Sequence, residues 1–237
     1  MPHGPTQAHS LDQGTTMTPH TTFLIPLLIS FFCAGEAMAI EEPKFEVLLT
    51  DKQFEVRKYA PVLVAETLVD GDMDDASSKG FRLIADYIFG NNQLPNAASS
   101  SAKIAMTAPV ILEPQSAKIA MTAPVTLEPQ SGEASMQTAK QWLVQFVMPS
   151  QYTLASIPKP KNNAVSLREI PSKHYAVLKY SGFNTLSKVQ AKAQEAQAWA
   201  TKNNLKMIGQ PQLSRYDPPW TLPMLRRNEI MIEVSAP

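Results

Sequence analysis

Apolar and polar residues alternate along several short segments of the chain, and this period of two predicts β-strands. The clearest case is residues 54–59, where Phe54 and Val56 alternate with Glu55 and Arg57. Residues 62–69 are apolar at most positions, which is typical of a strand buried on both faces. Further strands are predicted at residues 45–50, 142–148, 165–170, 175–180, 212–216 and 228–234.

Two longer segments have the period of a helix instead. Residues 75–89 are the first, and residues 184–203 are the second. Apolar residues recur on one face of each, which predicts amphipathic helices. The residues on these faces are Phe81, Ile84, Ala85 and Ile88 in the first helix, and Leu186, Val189, Ala193, Ala196 and Ala200 in the second. Each half of the chain therefore has the order strand, strand, helix, strand, strand, which predicts an α+β fold with helices packed on a curved antiparallel sheet.

An acidic turn, residues 70–75, precedes the first helix. A calcium loop is one interpretation, but Gly71 comes too early and Phe81 stands where a bidentate Glu is needed. We favour the alternative, in which these carboxylates cap the positive end of the helix. In this interpretation, Gly90 and Asn91 mark the C-terminal end of the first helix.

A fifteen-residue unit occurs twice in tandem, at residues 101–115 and 116–130, and the copies differ only at Ile111 and Thr126. Both contain the sequence KIAMTAPV, whose alternation predicts a strand. We expect the second copy to form that strand, because it lies closer to Trp142 and connections between strands are usually short. The first copy would then extend the preceding loop. The alternative is that both copies pair as an additional hairpin.

The N-terminal residues 1–39 have the pattern of a secretory signal peptide. Residues 23–34 are an apolar run of twelve residues. As a helix this run would reach about 18 Å, which is short of the roughly 30 Å hydrocarbon core of a bilayer. Ala37-Met38-Ala39 fits the cleavage site. We expect a mature domain of residues 40–237 that is periplasmic or secreted and has no stable membrane span. An uncleaved anchor is the alternative, and Met17 is an alternative start site.

The amino-acid composition excludes some classes of function for this protein. With 237 residues and 44% hydrophobic content, the chain suits one domain with a substantial core. The 21 Lys and Arg residues balance 21 Asp and Glu, so no basic surface for nucleic acid is indicated. After residue 39 the chain contains one histidine, His174, and no cysteine. Because the sequence also lacks the common nucleophile and nucleotide-binding motifs, we predict that the protein is not an enzyme.

One further segment stands out near the C-terminus. Residues 215–220 place two prolines among aromatic residues, and Arg226 and Arg227 follow at the entry of the last strand. A guanidinium group is well shaped to bind a carboxylate or propionate, so both arginines are candidate ligand contacts. The alternative is a packing corner in which they pair with Glu229 and backbone carbonyls.

Taken together, these segments resemble the SOUL heme-binding protein family. The resemblance covers residues 45–234 and rests on FEVRKY at 54–59, GFRLIADYIFG at 80–90, KIAMTAPV, FVMP at 146–149, YDPP at 216–219 and RRNEI at 226–230. It implies a distorted antiparallel eight-stranded β-barrel made of two pseudo-symmetric halves and flanked by two helices. The fold that it implies is also similar to the effector-binding domain of some bacterial regulators.

The resemblance implies a non-enzymatic carrier, buffer or scavenger that binds heme, metal-free porphyrin or a related tetrapyrrole in an apolar cleft beside the first helix. The candidate contacts are Phe81, Arg82, Ala85, Phe89, Met121, Arg226 and Arg227. His174 is the only candidate for an axial ligand of heme iron in the expected mature chain. Two alternatives remain open. One is an effector-type module for another apolar or cationic small molecule, which an acidic residue deep in the cleft would favour. The other is a protein-interaction module. The sequence makes no prediction of the oligomeric state.

Overall fold

The computed structural model describes residues 40–97, 100–115, 136, 139–218 and 220–236. The first half contains β1 (Phe45–Asp51), β2 (Phe54–Tyr59), β3 (Val62–Asp70), α1 (Met73–Ile88), β4 (Asn92–Gln93), β5 (Val110–Gln115) and β6 (Gln141–Val147). The second half contains β7 (Lys159–Pro160), β8 (Ser166–Ile170), β9 (Lys173–Tyr180), α2 (Leu186–Lys202), β10 (Gln212–Arg215), a 3-10 turn (Pro223–Leu225) and β11 (Asn228–Val234).

Nine strands form one antiparallel sheet with the order β1-β2-β9-β11-β10-β5-β6-β3-β8. Leaving out β1, this order maps onto itself when the strands of one half are exchanged for those of the other: β2 for β8, β3 for β9, β5 for β10 and β6 for β11. The two halves are therefore related by an approximate two-fold axis between β5 and β10. The predicted α+β class and its pseudo-symmetric halves are confirmed, with β1 as a ninth strand at the edge. The short strands β4 and β7 form a separate pair.

Two short connections force the sheet to curl. Ala60 and Pro61 join β2 to β3, and Pro171 and Ser172 join β8 to β9. Both connections link strands that lie near opposite ends of the sheet order. A two-residue link spans only about 10 Å between the strand ends that it joins, so the two edges must approach each other there. Ser172 Oγ donates a hydrogen bond to the carbonyl of Tyr59 at 2.7 Å across this closure.

The two helices cover one face of the curled sheet. α1 packs on β3 and β6, and α2 packs on β9 and β11. The core between them includes Ile84 and Ile88 of α1 and Phe146, Leu178 and Ile230 of the sheet. Gly80 allows α1 to lie close to β6, since a Cβ atom at this position would come within 2.6 Å of Val144 Cγ2. The opposite face of the sheet, called the inner face below, looks into the concave side.

The ends of α1 follow the predicted signals. Asp72 is the N-cap, and its side chain accepts a hydrogen bond from the backbone N–H of Asp75 at 2.8 Å. Gly90 follows the helix with φ of 127°, a conformation that glycine adopts without strain. The capping interpretation of the acidic turn is therefore confirmed.

The expected role of the repeated unit is corrected by the structure. The first copy, not the second, occupies the central strand: β5 pairs with β10 on one side and β6 on the other. Residues 103–109 of KIAMTAPV are also not a strand, since β5 begins only at Val110, directly after the cis Ala108–Pro109 peptide bond. The short separation in sequence from Trp142 therefore did not predict which copy forms the strand. The second copy, including Met121, lies outside the described residues.

Within the described part of the chain, no helix is both long enough and apolar enough to cross a bilayer. The segment at residues 23–34, on which the signal-peptide prediction rests, lies outside the described residues.

Candidate functional site

The surface of α1 carries a stripe of side chains that the sequence analysis gave as candidate ligand contacts. Phe81, Ala85 and Phe89 are spaced four residues apart and therefore lie on one side of the helix. Phe81 and Phe89 are 39% and 58% exposed, whereas Ala85 between them is buried. The Phe81 ring also rests against the buried ring of Phe146, with 5.5 Å between their centroids. The exposed side chain of Arg82 adjoins this stripe.

A loop between β10 and β11 presents a second group of exposed apolar side chains. Trp220 is 83% exposed, and Leu222, Met224 and Leu225 are also exposed. The start of this loop lies against the first turns of α1, because Arg215 donates a hydrogen bond to Ser77 Oγ at 3.0 Å. Burial lowers the pKa of Arg215. The stripe on α1 and the root of this loop therefore belong to one side of the molecule.

Arg226 and Arg227 are both engaged within the protein. Arg226 Nε donates to the carbonyl of Thr221 at 2.8 Å, and its guanidinium lies 5.7 Å from the Phe183 ring. Arg227 lies 3.5 Å above the ring of Tyr216 and donates to Glu42 at 2.5 Å. These contacts match the packing-corner interpretation, and Arg82 is an exposed cation beside the α1 stripe.

His174 lies on a strand against which α2 packs. It is part of β9, in register with Lys58 of β2 and Val234 of β11. α2 packs on β9, whereas the stripe lies on α1, which packs on β3 and β6. The described residues contain no cluster of three or more His, Cys, Asp or Glu side chains that could hold a metal ion.

The inner face contains a buried ionic network that the sequence analysis did not identify as a site. Arg57 and Glu229, 2% and 0% exposed at their side chains, form a bidentate pair with distances of 2.9 and 3.1 Å. Arg57 Nε also donates to Glu55 at 2.6 Å, and Lys179 pairs with the other oxygen of Glu55. The hydroxyl of Tyr216 donates to Glu229 at 2.8 Å.

The pKa values of this network follow from its pairing. Burial alone would lower the pKa of Arg57, but hydrogen bonds to Glu229 offset burial and raise it. Burial likewise favours a higher pKa for Glu55, but its bonds to Lys179 and Arg57 lower it. For Tyr216, burial and the nearby negative charges both raise the pKa. The signal in the sequence was the alternation itself, which places Glu55 and Arg57 on the same face of β2.

A narrow cleft opens beside this network on the concave side. Its walls include Tyr59, Tyr175, Tyr216, Met231 and Ile111. The cleft encloses about 440 Å³ of atom-free space, part of which is open to solvent. Only about 40 Å³ of it is wide enough for the centre of a water molecule. A flat macrocycle therefore does not fit there, in contrast to the open surface of α1.

Comparisons with solved structures support the fold. The EcmrR C-terminal domain aligns with a TM-score of 0.52 at 10% identity, covering 78% of this chain and 98% of that one. The EcmrR chain in a complex with DNA aligns with a TM-score of 0.51 at 10% identity, covering 78% of this chain and 58% of that one. An uncharacterized conserved protein from Listeria innocua aligns with a TM-score of 0.50 at 12% identity, covering 78% and 93%. Such low identities show a shared architecture and nothing more.

The sequence itself matches no curated protein. It does match the profile of one family, described as SOUL heme-binding protein, over residues 40–117 and 113–233. These two segments together span most of the chain and all eleven strands and both helices, apart from the last residue of β11. The chain therefore belongs to the SOUL heme-binding protein family.

Proposed function

We propose that the protein binds heme or a related tetrapyrrole on the outer face of α1, as a non-enzymatic carrier, buffer or scavenger. The observation that carries this proposal is the stripe of Phe81, Ala85 and Phe89. Two exposed aromatic rings are spaced by eight residues, about 12 Å along the helix. Ala85 between them is buried, so the two exposed rings supply the apolar contact onto which a planar macrocycle can lie.

Burial of the macrocycle supplies the driving force in this proposal. Covering a few hundred Å² of apolar surface contributes several kcal/mol at about 25 cal/mol per Å², before the entropic cost of association. Arg82 is placed to pair with a propionate, because its side chain is exposed beside the stripe. The loop before β11, whose root contacts α1 through Arg215, adds further exposed apolar residues.

Ligation of the iron by histidine has no support in this arrangement, since His174 lies on β9. When heme is bound, the group itself supplies any redox or ligand chemistry, and the residues of α1 supply only shape, apolar contact and charge. It follows that metal-free porphyrin should bind about as well as heme. The prediction of a periplasmic or secreted protein also remains part of this proposal, and it rests on the N-terminal sequence alone.

Titration with hemin and with protoporphyrin IX tests the proposal. We expect a saturable change in the Soret band and in porphyrin fluorescence, with dissociation constants of similar size for the two ligands. Replacing both Phe81 and Phe89 by Ala should weaken both ligands by at least tenfold, because the two rings form the proposed surface. His174→Ala should leave the Soret band unchanged.

A matched control is Ile208→Ala, because Ile208 is as exposed as Phe89 but follows α2 in the other half. This variant should bind both ligands like the wild type. Absence of binding of either ligand at micromolar concentration would overturn the proposal. Equal weakening by the control and by the α1 variants would move the site away from α1.

A further inference from the structure

The most exposed large apolar side chains of the described residues belong to two short segments. Single exposed apolar side chains are common on protein surfaces, but a contiguous group of them marks a contact surface. The five largest exposed fractions range from 59% to 83%. Four of these side chains come from the loop between β10 and β11, and the fifth precedes α2: Trp220, Leu222, Met224, Leu225 and Phe183.

Arg226 connects Phe183 to the loop. The Arg226 guanidinium lies 5.7 Å from the Phe183 ring, and its Nε donates to the carbonyl of Thr221 at 2.8 Å. Thr221 stands among the apolar residues of the loop, so the Phe183 ring lies beside them. These five apolar side chains are called the apolar tip below.

The backbone of the loop holds the apolar tip in this exposed arrangement. The N–H of Leu225 donates to the carbonyl of Leu222 at 2.9 Å, and the N–H of Thr221 donates to the carbonyl of Pro218 at 3.0 Å. Pro218 and Pro223 further restrict the backbone, because proline fixes its own φ. A surface that is already ordered loses less conformational entropy when a partner covers it.

The base of the apolar tip is charged, whereas the tip has no charged side chain. Three cations lie on the flanking segments: Arg226, Arg227 and Lys188. Two carboxylates contact them, since Glu42 pairs with Arg227 at 2.5 Å and Asp217 accepts from the backbone N–H of Arg227 at 2.6 Å. Glu229, 3.5 Å from Arg227, is already paired with Arg57. Three cations and two carboxylates therefore leave the base with a net charge of plus one.

We propose that the apolar tip inserts into the surface of a phospholipid bilayer, with the cations of its base among anionic headgroups. Tryptophan is favoured at the boundary between headgroups and acyl chains, where its ring is apolar and its N–H is solvated. Thr221 is the only polar side chain of residues 220–225, so the tip offers few of the directed hydrogen bonds that protein interfaces use. Lipids require no such partners. The proposal does not depend on tetrapyrrole binding.

Tryptophan fluorescence of the full chain with phospholipid vesicles, without heme, tests this proposal. The chain has three tryptophans, and Trp142 and Trp199 are only 1% and 8% exposed, so the added vesicles act on the emission of Trp220. We expect a saturable blue shift with vesicles of phosphatidylcholine and phosphatidylglycerol, and quenching by lipids brominated in their acyl chains. Trp220→Phe should remove both signals. Phosphatidylcholine alone should bind about fivefold more weakly, as expected for one net positive charge near an anionic surface.

A pair of double variants separates the apolar tip from exposed apolar residues elsewhere. Leu222→Ala with Leu225→Ala should raise the lipid concentration for half-maximal binding by at least tenfold. Leu154→Ala with Ile208→Ala is the matched control, because both residues are exposed but lie outside the tip, and it should bind like the wild type. Circular dichroism verifies that each variant is folded.

Phe81→Ala with Phe89→Ala keeps the two proposals distinguishable. This variant should retain vesicle binding while it weakens hemin, and failure of hemin to bind would affect only the tetrapyrrole proposal. Absence of a blue shift with both kinds of vesicle, or equal losses in the tip variant and its control, would overturn membrane insertion. Equal binding of the two kinds of vesicle would overturn the role of the cations. A dimer in sedimentation that the tip variant loses would assign the tip to a second copy of the chain instead.

Discussion

The two faces of the central sheet differ in how they are stabilised, although every strand contributes to both. The helix-covered face is apolar, with Val56, Leu178, Ile230 and Leu112 in contact with the helices or with one another. The next residue along a strand belongs to the inner face, where Glu55, Lys179 and Glu229 are charged. Alternation with a period of two places these two sets of residues on opposite faces of the sheet.

This contrast indicates different roles for the two faces. Apolar burial stabilises a fold directly, at about 25 cal/mol per Å². A buried ion pair is about neutral relative to an apolar pair of similar volume, because desolvation offsets the attraction. Stability alone therefore does not explain the charges of the inner face.

The largest expected effect comes from breaking the ion pair of the inner face. Glu229→Ala leaves Arg57 buried without its bidentate partner, and we expect a loss of about 3–5 kcal/mol in the free energy of unfolding. Replacing Arg57 and Glu229 together by Leu should recover most of this loss, since no unpaired charge remains. Urea denaturation measures both effects.

Glu233→Ala serves as the matched control for this prediction. Glu233 lies on the same strand and face, but its pair with Lys173 is partly exposed, so its loss should cost no more than about 1 kcal/mol. Similar losses for the two variants would show that burial does not distinguish these pairs, and the contrast between the faces would lose its energetic basis.

An intermediate effect is expected on the helix-covered face. Gly80→Ala places a methyl group within 3 Å of three atoms of Val144, so α1 must shift away from β6. We expect a loss of about 1–3 kcal/mol, as for other overpacked cores. The double variant Gly80→Ala, Val144→Ala should lose less than the sum of the single variants, because the added methyl group fills the space that is vacated. Strict additivity in thermal or urea unfolding would contradict this packing arrangement.

The smallest effect is expected from the repeated unit. Deleting residues 116–130 or residues 101–115 produces two chains that differ only by Ile or Thr at the position of Ile111. Both should fold, because each retains one unit that can form β5. The Thr version should be less stable by about 1 kcal/mol, since Ile111 is half-buried on the inner face.

Deleting both copies provides the control for this comparison. Removal of residues 101–130 eliminates β5, which joins β10 to β6, so the sheet would be interrupted at its centre. We expect no cooperative unfolding transition for this chain. Loss of the transition in the two single deletions as well would show that both copies are needed for folding.

Local patterns in the sequence predicted most of the secondary structure. The predicted helices at residues 75–89 and 184–203 correspond to Met73–Ile88 and Leu186–Lys202. These predictions succeed because capping and amphipathic periodicity act between residues close in the chain. Which copy of the repeated unit forms β5 was harder to predict, because two nearly identical segments have the same local preferences. Only pairing with the neighbouring strands decides which copy enters the sheet.

By itself, the sequence determined the family, the order of the elements and the alternation of each strand, because all three are properties of residues near one another in the chain. Only the tertiary structure decided that Glu229 pairs with Arg57 across 172 residues and that Arg227 is already engaged by Glu42 and Tyr216. It also decided which strands lie beside His174 of β9. The physical reason is that charge pairing and ligand access depend on which strands become neighbours when the sheet curls. That arrangement follows from long-range packing, which local patterns do not encode.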